Sequence, residues 1–158
     1  MKLTIIGHVK SSWKKGKGTP IQPSVSRGRA RIEIDPPYRE ALVDLDGFDR
    51  IWVLTWLHQC RDFRTKVVPY RDTIEHGLFS TRAPARPNPI GLSCVIVSSV
   101  DPHSGIIQTG PLDLLDGTPV LDVKPYMPSF DAFPDAAAGW MDDAKERRDS
   151  SDGRFEAQ

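Results

Sequence analysis

Gly91-Leu92-Ser93-Cys94-Val95-Ile96-Val97-Ser98-Ser99-Val100-Asp101, then Pro102-His103-Ser104-Gly105, then Ile106-Ile107-Gln108-Thr109: this stretch decides the fold class. Residues 91–101 read as a strand, 102–105 as a turn and 106–109 as a return strand, so the unit is a hairpin and its pairing antiparallel. Upstream, Arg27-Gly28-Arg29-Ala30-Arg31-Ile32-Glu33-Ile34 alternates polar and apolar as a half-buried strand does, and residues 3–9 alternate loosely into a first strand. Ile51-Trp52-Val53-Leu54-Thr55-Trp56-Leu57-His58 is β-branched and aromatic, a strand expected to be buried on both faces or nearly so. Downstream, Asp116-Gly117-Thr118-Pro119 signals a turn, and Val120-Leu121-Asp122-Val123 a further strand. Helix is scarce. Asp35 followed by two prolines predicts a short helix to residue 42, and residues 136–148 predict another, capped by Asp135 and running through Gly139. Residues 150–158 are polar and expected to fray.

Many short strands with tight turns favour an all-β sandwich or small barrel. They oppose a doubly wound sheet, since no strand leads through a Gly-rich turn into a long helix. The 158 residues suffice for one domain with a real core. No apolar run reaches membrane-spanning length, the longest at 51–57 being strand-sized, and the first residues turn polar too soon for a secretory signal. A cytoplasmic protein is therefore expected, with no membrane and no DNA partner. Cys60 and Cys94 form no Cys-x-x-Cys pair, and the four histidines at positions 8, 58, 76 and 103 lack ligand spacing, so no metal is expected.

The formal net charge of zero conceals a polarity. Residues 1–32 carry eight Lys or Arg and no acid, whereas residues 113–152 carry ten Asp or Glu against four Lys or Arg. Trp13-Lys14-Lys15-Gly16-Lys17-Gly18 is either a solvated loop or a basic arm suited to phosphates. A domain with no net charge must make any RNA contact locally or across an oligomer.

Two segments exceed what architecture requires. Thr81-Arg82-Ala83-Pro84-Ala85-Arg86-Pro87-Asn88-Pro89-Ile90-Gly91-Leu92-Ser93 ends a long irregular stretch and is stiffened by three prolines. Arg82 and Arg86 can then hold guanidinium forks ready for carboxylate or phosphate, with Gly91 letting backbone approach a ligand, or the segment is a rigid turn whose arginines pair with acids elsewhere. The second segment, residues 112–126, gathers Asp113, Asp116, Asp122, Lys124 and Tyr126 beside a turn and an apolar strand. Period two puts Asp122, Lys124 and Tyr126 on one face, as a satisfied ion pair or as a positioned proton acceptor.

These two motifs resemble the TsaA-like (TrmO-type) family, S-adenosylmethionine-dependent enzymes that N6-methylate threonylcarbamoyladenosine beside the tRNA anticodon. Gly77-Leu78-Phe79-Ser80-Thr81-Arg82 running into Arg86-Pro87-Asn88-Pro89-Ile90-Gly91-Leu92-Ser93, followed by residues 112–126, carries the match. It extends through Ile6-Gly7, residues 20–22 and 47–58, and on to Pro128, about four-fifths of the chain. The resemblance implies a small open β-barrel with long loops and one or two short helices. It places the barrel domain at 1–135, followed by a short helix and polar tail at 136–158. It also implies a homodimer. Carried over by motif, S-adenosyl-L-methionine would contact Pro20, Ile21 and Gln22, then His58 and Gln59, Arg82, Leu92, and Gly110, Pro111, Leu112 and Asp113. Arg82 is suited to the methionine carboxylate and Leu92 to adenine. Asp113, Asp116 and Tyr126 are the candidates for taking the proton that the acceptor nitrogen loses.

The departures concern the substrate. The family's Pro-Arg-Gln is Pro20-Ile21-Gln22 here, its Phe-Ser-His is Phe48-Asp49-Arg50, and its Val-Arg-Pro-Pro-Arg is Val67-Val68-Pro69-Tyr70-Arg71. In place of the C-terminal domain of larger members, a short acidic tail is expected here. Arg61, Arg64, Lys66 and Arg71 in the long loop keep tRNA as the expected substrate. The other readings are the same methyl donor used on a small metabolite or another RNA, and a non-catalytic S-adenosylmethionine-binding protein.

Overall fold

A computed structural model describes residues 2–26, 29–60, 62–144 and 149–156. Eight strands are present among them: β1 (Gly7–Lys10), β2 (Ala30–Ile34), β3 (Arg50–Trp56), β4 (Lys66–Val67), β5 (His76–Gly77), β6 (Ile90–Asp101), β7 (Ile106–Thr109) and β8 (Pro119–Pro125). Six of them form a barrel in the order β1-β2-β7-β6-β3-β8, every pair antiparallel. The ring closes where an open one was expected, because β1 pairs with β8 as well as β2: Gly7 lies opposite both Ile34 and Val120. The hairpin of the opening motif is β6–β7, with Asp101 opposite Ile106.

The core follows from strand period. Val9, Ile32, Ile51, Val53, Val95, Ile107 and Val120 point inward and are almost wholly excluded from solvent. On β3 the inward set is Ile51, Val53 and Thr55, while Trp52, Leu54 and Trp56 on the outer side are half-buried. Burial on the second face is thus incomplete, since no further layer covers the barrel there; Tyr126 meets Trp52 edge-on at 5.5 Å between ring centroids. Leu112 and Leu114 close one end of the core.

The helices depart most from expectation. Residues 36–42 form a 3-10 helix, and Asp35 makes no side-chain cap, in keeping with two prolines that supply no N–H at the first turn. The long helix expected over 136–148 reduces, within the described residues, to a 3-10 turn at Gly139–Asp142. Gly139 sits at φ +62°, a left-handed conformation that ends a right-handed helix, and residues 145–148 lie outside the described part. The only α-helix among the described residues is one turn, α1 (Pro128–Asp131). None is long and apolar enough to cross a membrane. Arg27 and Gly28, expected at the start of the second strand, also lie outside the described residues.

Residues 149–156 do not fray. Their backbone pairs with 18–21: Gly18 N donates to Ser151 O at 2.8 Å, Ser151 N to Thr19 O at 2.8 Å and Ile21 N to Asp149 O at 3.1 Å. Phe155 is buried in a second apolar cluster with Val67, Leu78, Ala83 and Ala85, and meets Tyr70 edge-on. A polar-looking tail is therefore a strap across the loops.

Candidate functional site

The two arginines of the proline loop face opposite ways. Arg86 turns inward, where its Nη1 donates to the carbonyls of Thr81 at 3.0 Å and Ala83 at 3.2 Å, and more weakly to that of Leu78 at 3.5 Å. Those carbonyls have no strand partner, so Nη1 of this guanidinium holds the loop's shape. Thr81 adds to the same turn, its hydroxyl donating to Leu78 O and accepting from Ala83 N. Ala83 and Ala85 anchor the loop in the second cluster. Arg82, between anchored neighbours, is exposed and reaches Gln22 Oε1 at 3.4 Å. The stiff loop thus presents one cation.

The strap joins the two sides of that contact. It pairs with the backbone leading to Gln22, and its Phe155 lies among the alanines flanking Arg82. Trp140 adds a second tie, its indole N–H donating to Ser80 O at 2.8 Å while its ring stacks on His76 at 4.2 Å. His76 Nε2 in turn pairs with Asp72 Oδ2 at 2.9 Å.

Asp113 lies beneath this rim. Ser93 Oγ donates to its Oδ1 at 2.8 Å, and Ser26 Oγ donates to the neighbouring Leu112 O at 2.7 Å. Burial pushes the Asp113 carboxyl up to about 6; the Ser93 hydrogen bond, its own backbone N–H and the Arg82 charge pull only partly against that. A carboxyl near 6 can release and take back a proton around neutral pH. Thr55, wholly buried at the end of β3, has a hydroxyl with no hydrogen-bond partner among the described residues. A Cβ on Gly91 would stand 2.5 Å from that hydroxyl, so this glycine serves strand contact.

The remaining sequence candidates fall into four groups. Pro20 is buried and bridges to Ser150, and Ile21 is held through its N–H by Asp149 O, so both are backbone partners of the strap. His58 and Gln59 occupy the turn after β3, tied to the proline loop where Leu57 N donates to Pro89 O at 2.7 Å. Leu92 projects from the outer face of β6, opposite Leu54, and is 54% exposed. Gly110 N bonds Ile96 O, and Gly110 and Pro111 carry the chain from β7 into the Leu112–Asp113 turn.

Asp116 and Tyr126 are engaged by other partners. Asp116 Oδ2 pairs with Lys14 at 2.6 Å and its Oδ1 accepts from Ser11 N, an arrangement that pins the basic arm and lowers the carboxyl's pKa. Tyr126 sits beyond β8 against Trp52, on the barrel's outer side. Asp122 and Lys124 form an exposed ion pair at 2.8 Å. Sequence reasoning left Ser93, Ser26 and the strap off the site; Ser93 was visible as the last residue of the proline motif, the other two only through contacts. Arg61 lies outside the described residues.

With this geometry in hand, comparison with known proteins is decisive. The family profile of the tRNA-methyltransferase O N-terminal domain matches residues 8–132. The chain belongs to that family. A Pyrococcus abyssi relative named as a probable S-adenosyl-L-methionine-binding protein is 38% identical over 153 residues, covering 95% of this chain and 82% of that one. The tRNA (adenine(37)-N6)-methyltransferase of Escherichia coli is 38% identical over 148 residues, 88% of this chain and 63% of that enzyme. The crystal structure of TrmO from Pseudomonas aeruginosa superposes with a TM-score of 0.73 at 35% identity, covering 88% of this chain and 62% of that one. This family member thus spans under two thirds of those two longer chains. Its barrel is the family's barrel, and the Arg82 loop and the Asp113 turn both fall inside the matched span.

Proposed function

We propose that this protein binds S-adenosyl-L-methionine at the Gln22–Arg82 rim and transfers its methyl group to N6 of threonylcarbamoyladenosine beside the tRNA anticodon. The observation that carries the reading is Arg82: an exposed guanidinium on a stiff loop, next to an amide and above a carboxyl tuned to about 6. That donor set suits the ligand. A cation fits the methionine carboxylate, Gln22 offers both donor and acceptor, and the exposed Leu92 offers an apolar surface to adenine. When bound, the ligand supplies an electrophilic methyl on a sulfonium.

The chain's own work is to position and to manage one proton. Arg82 and Gln22 orient the donor, and alignment contributes more than acid or base to a displacement. The acceptor N–H lies between the carbamoyl carbonyl and the adenine ring and must lose its proton as the nitrogen–carbon bond forms. Asp113, ionised above about pH 6 and held by Ser93, takes that proton, while Asp116 and Tyr126 serve the arm and the outer face. Two further features belong to the reading. The exposed Ile90 and Ile96 beside half-buried Leu54 and Trp56 give the outer face of β3 and β6 an apolar character that supports a homodimer. A tRNA substrate places the protein in the cytoplasm, with no membrane or DNA partner.

The test is isothermal titration with S-adenosyl-L-methionine, then incubation with threonylcarbamoylated tRNA and mass analysis of its nucleosides. A methyl gain on the modified adenosine supports the reading. Binding without transfer removes the tRNA assignment in favour of a small acceptor or a binding role, and no binding removes the reading altogether. Arg82→Ala weakens S-adenosyl-L-methionine by about 10- to 100-fold, the worth of a charged hydrogen bond; an unchanged affinity would take Arg82 out of the site.

A further inference from the structure

Phe79 is the most exposed large apolar side chain among the described residues, at 78% of its possible surface. Its backbone is nevertheless among the most restrained of the loops. Leu78 beneath it is 2% exposed, Thr81 N closes the 78–80 turn onto Leu78 O at 3.0 Å, and Trp140 holds the Ser80 carbonyl. The ring is thus held out into water by a rigid turn, three residues from Arg82. The Arg86 guanidinium lies 5.6 Å from the ring centroid, fixed there by the loop carbonyls it bonds. One face of the ring has the cation over it, while most of the side chain's surface stays open.

The surroundings are positive and polar. Leu78 N donates to Thr65 O and Arg64 N to Ala85 O, which brings residues 64–66 alongside the same loop. In residues 62–67 and 77–90 taken together, the described cations are Arg64, Lys66, Arg82 and Arg86, and the one acid is Asp62. A surface for another protein surrounds its aromatic anchor with apolar neighbours, as the β3–β6 strip does; two exposed rings, Phe79 and the 55% exposed Phe63, set among four cations fit that pattern poorly. It fits an unpaired nucleobase, whose face stacks on the ring while its phosphates meet the cations.

We infer that Phe79, braced by Arg86, is a stacking platform for an unpaired base of an RNA loop, with Arg64 and Lys66 receiving the flanking phosphates. The inference rests on the tRNA reading and deepens it: it assigns the surface that splays the loop so that the neighbouring base reaches the Arg82–Asp113 site. The cations add affinity of any sequence, and the ring adds preference for a single-stranded loop over a duplex.

The test compares wild type, Phe79→Ala and Phe79→Tyr for three quantities: affinity for S-adenosyl-L-methionine, KM for threonylcarbamoylated tRNA, and quenching of a fluorescent adenine analogue in the loop of a short RNA hairpin. Losing one stacked base weakens RNA binding about 5- to 100-fold. Phe79→Ala is therefore expected to raise KM by that factor and abolish quenching, with S-adenosyl-L-methionine affinity unchanged, and Phe79→Tyr to restore both. If Phe79→Ala methylates tRNA as wild type does, the platform is wrong while the tRNA reading stands. A parallel loss of S-adenosyl-L-methionine affinity would assign the ring to the donor's pocket instead, and a change in sedimentation to a contact between copies; either overturns the inference. Wild-type protein that binds S-adenosyl-L-methionine but no RNA overturns the tRNA reading and the platform together.

Discussion

The protein has two apolar clusters built by the same driving force and organised quite differently. In the barrel, aliphatic residues recur at every second position of six strands, and each inward side chain is buried by strands hydrogen-bonded on both sides. In the loop region, Val67, Leu78, Ala83, Ala85 and Phe155 come from separate segments with no shared period. The barrel's cluster supports the fold as a whole. The loop cluster supports a particular arrangement of Gln22, Arg82 and Phe79. The difference teaches that this chain separates stability from positioning, so that damage to one region need not register as damage to the other.

Three substitutions break or sharpen that separation. The largest effect is expected from Ile107→Ala, which empties a fully buried position in the barrel. It should cost about 2–5 kcal/mol in denaturant unfolding, because the lost transfer energy and the cavity add. A loss below about 1 kcal/mol would mean the barrel is not the cooperative unit.

Next comes Asp113, which joins the two regions through Ser93 on β6 and Arg82 on the loop. Its carboxyl binds a proton more tightly folded, at about 6, than at the ordinary 3.8 of an unfolded chain. The stability this brings is full below about pH 4 and disappears as pH rises through about 6, a fall of roughly 2–3 kcal/mol. Asp113→Asn should flatten that part of the stability–pH curve and, if Asp113 takes the substrate proton, remove the rise of kcat through the same range. A wild-type curve that gains stability from pH 4 to 7 by this group would contradict the burial that raises its pKa.

Smallest in stability is Phe155→Ala. The strap can open without the barrel, so the loss is limited to the free energy that holds the strap, on the order of 1 kcal/mol. The readouts should be local: faster hydrogen exchange at residues 18–21 and 149–156, and weaker S-adenosyl-L-methionine binding. A cost equal to that of Ile107→Ala would erase the distinction between the clusters.

Legibility follows the same line. Period-two alternation and turn chemistry are local properties, so the β6–β7 hairpin, β2 and β3 could be read directly and the antiparallel class with them. Arg82 and Asp113, the residues on which the proposed site rests, stand on motifs visible in the sequence. What failed was tied to distant partners: Arg86 offers the same chemistry as Arg82 in sequence, and only the direction of the loop assigns it to backbone carbonyls. Asp116 looked equivalent to Asp113 until Lys14, 102 positions away, claimed its carboxylate.

By itself, then, the sequence determined an antiparallel β fold class, its turns, and a short set of ionisable groups on two motifs, because these depend on neighbours within a few residues. Tertiary structure alone decided that the barrel closes through β1 and β8, that the polar C-terminal residues form a strap, and that Arg86 bonds loop carbonyls and Asp116 bonds Lys14 while Arg82 stays exposed. Each of those outcomes depends on contacts between segments far apart in the chain: backbone pairing of 149–151 with 18–21, Phe155 among the loop alanines, and a Ser93 hydroxyl that meets Asp113 only when β6 and the turn before β8 are brought together.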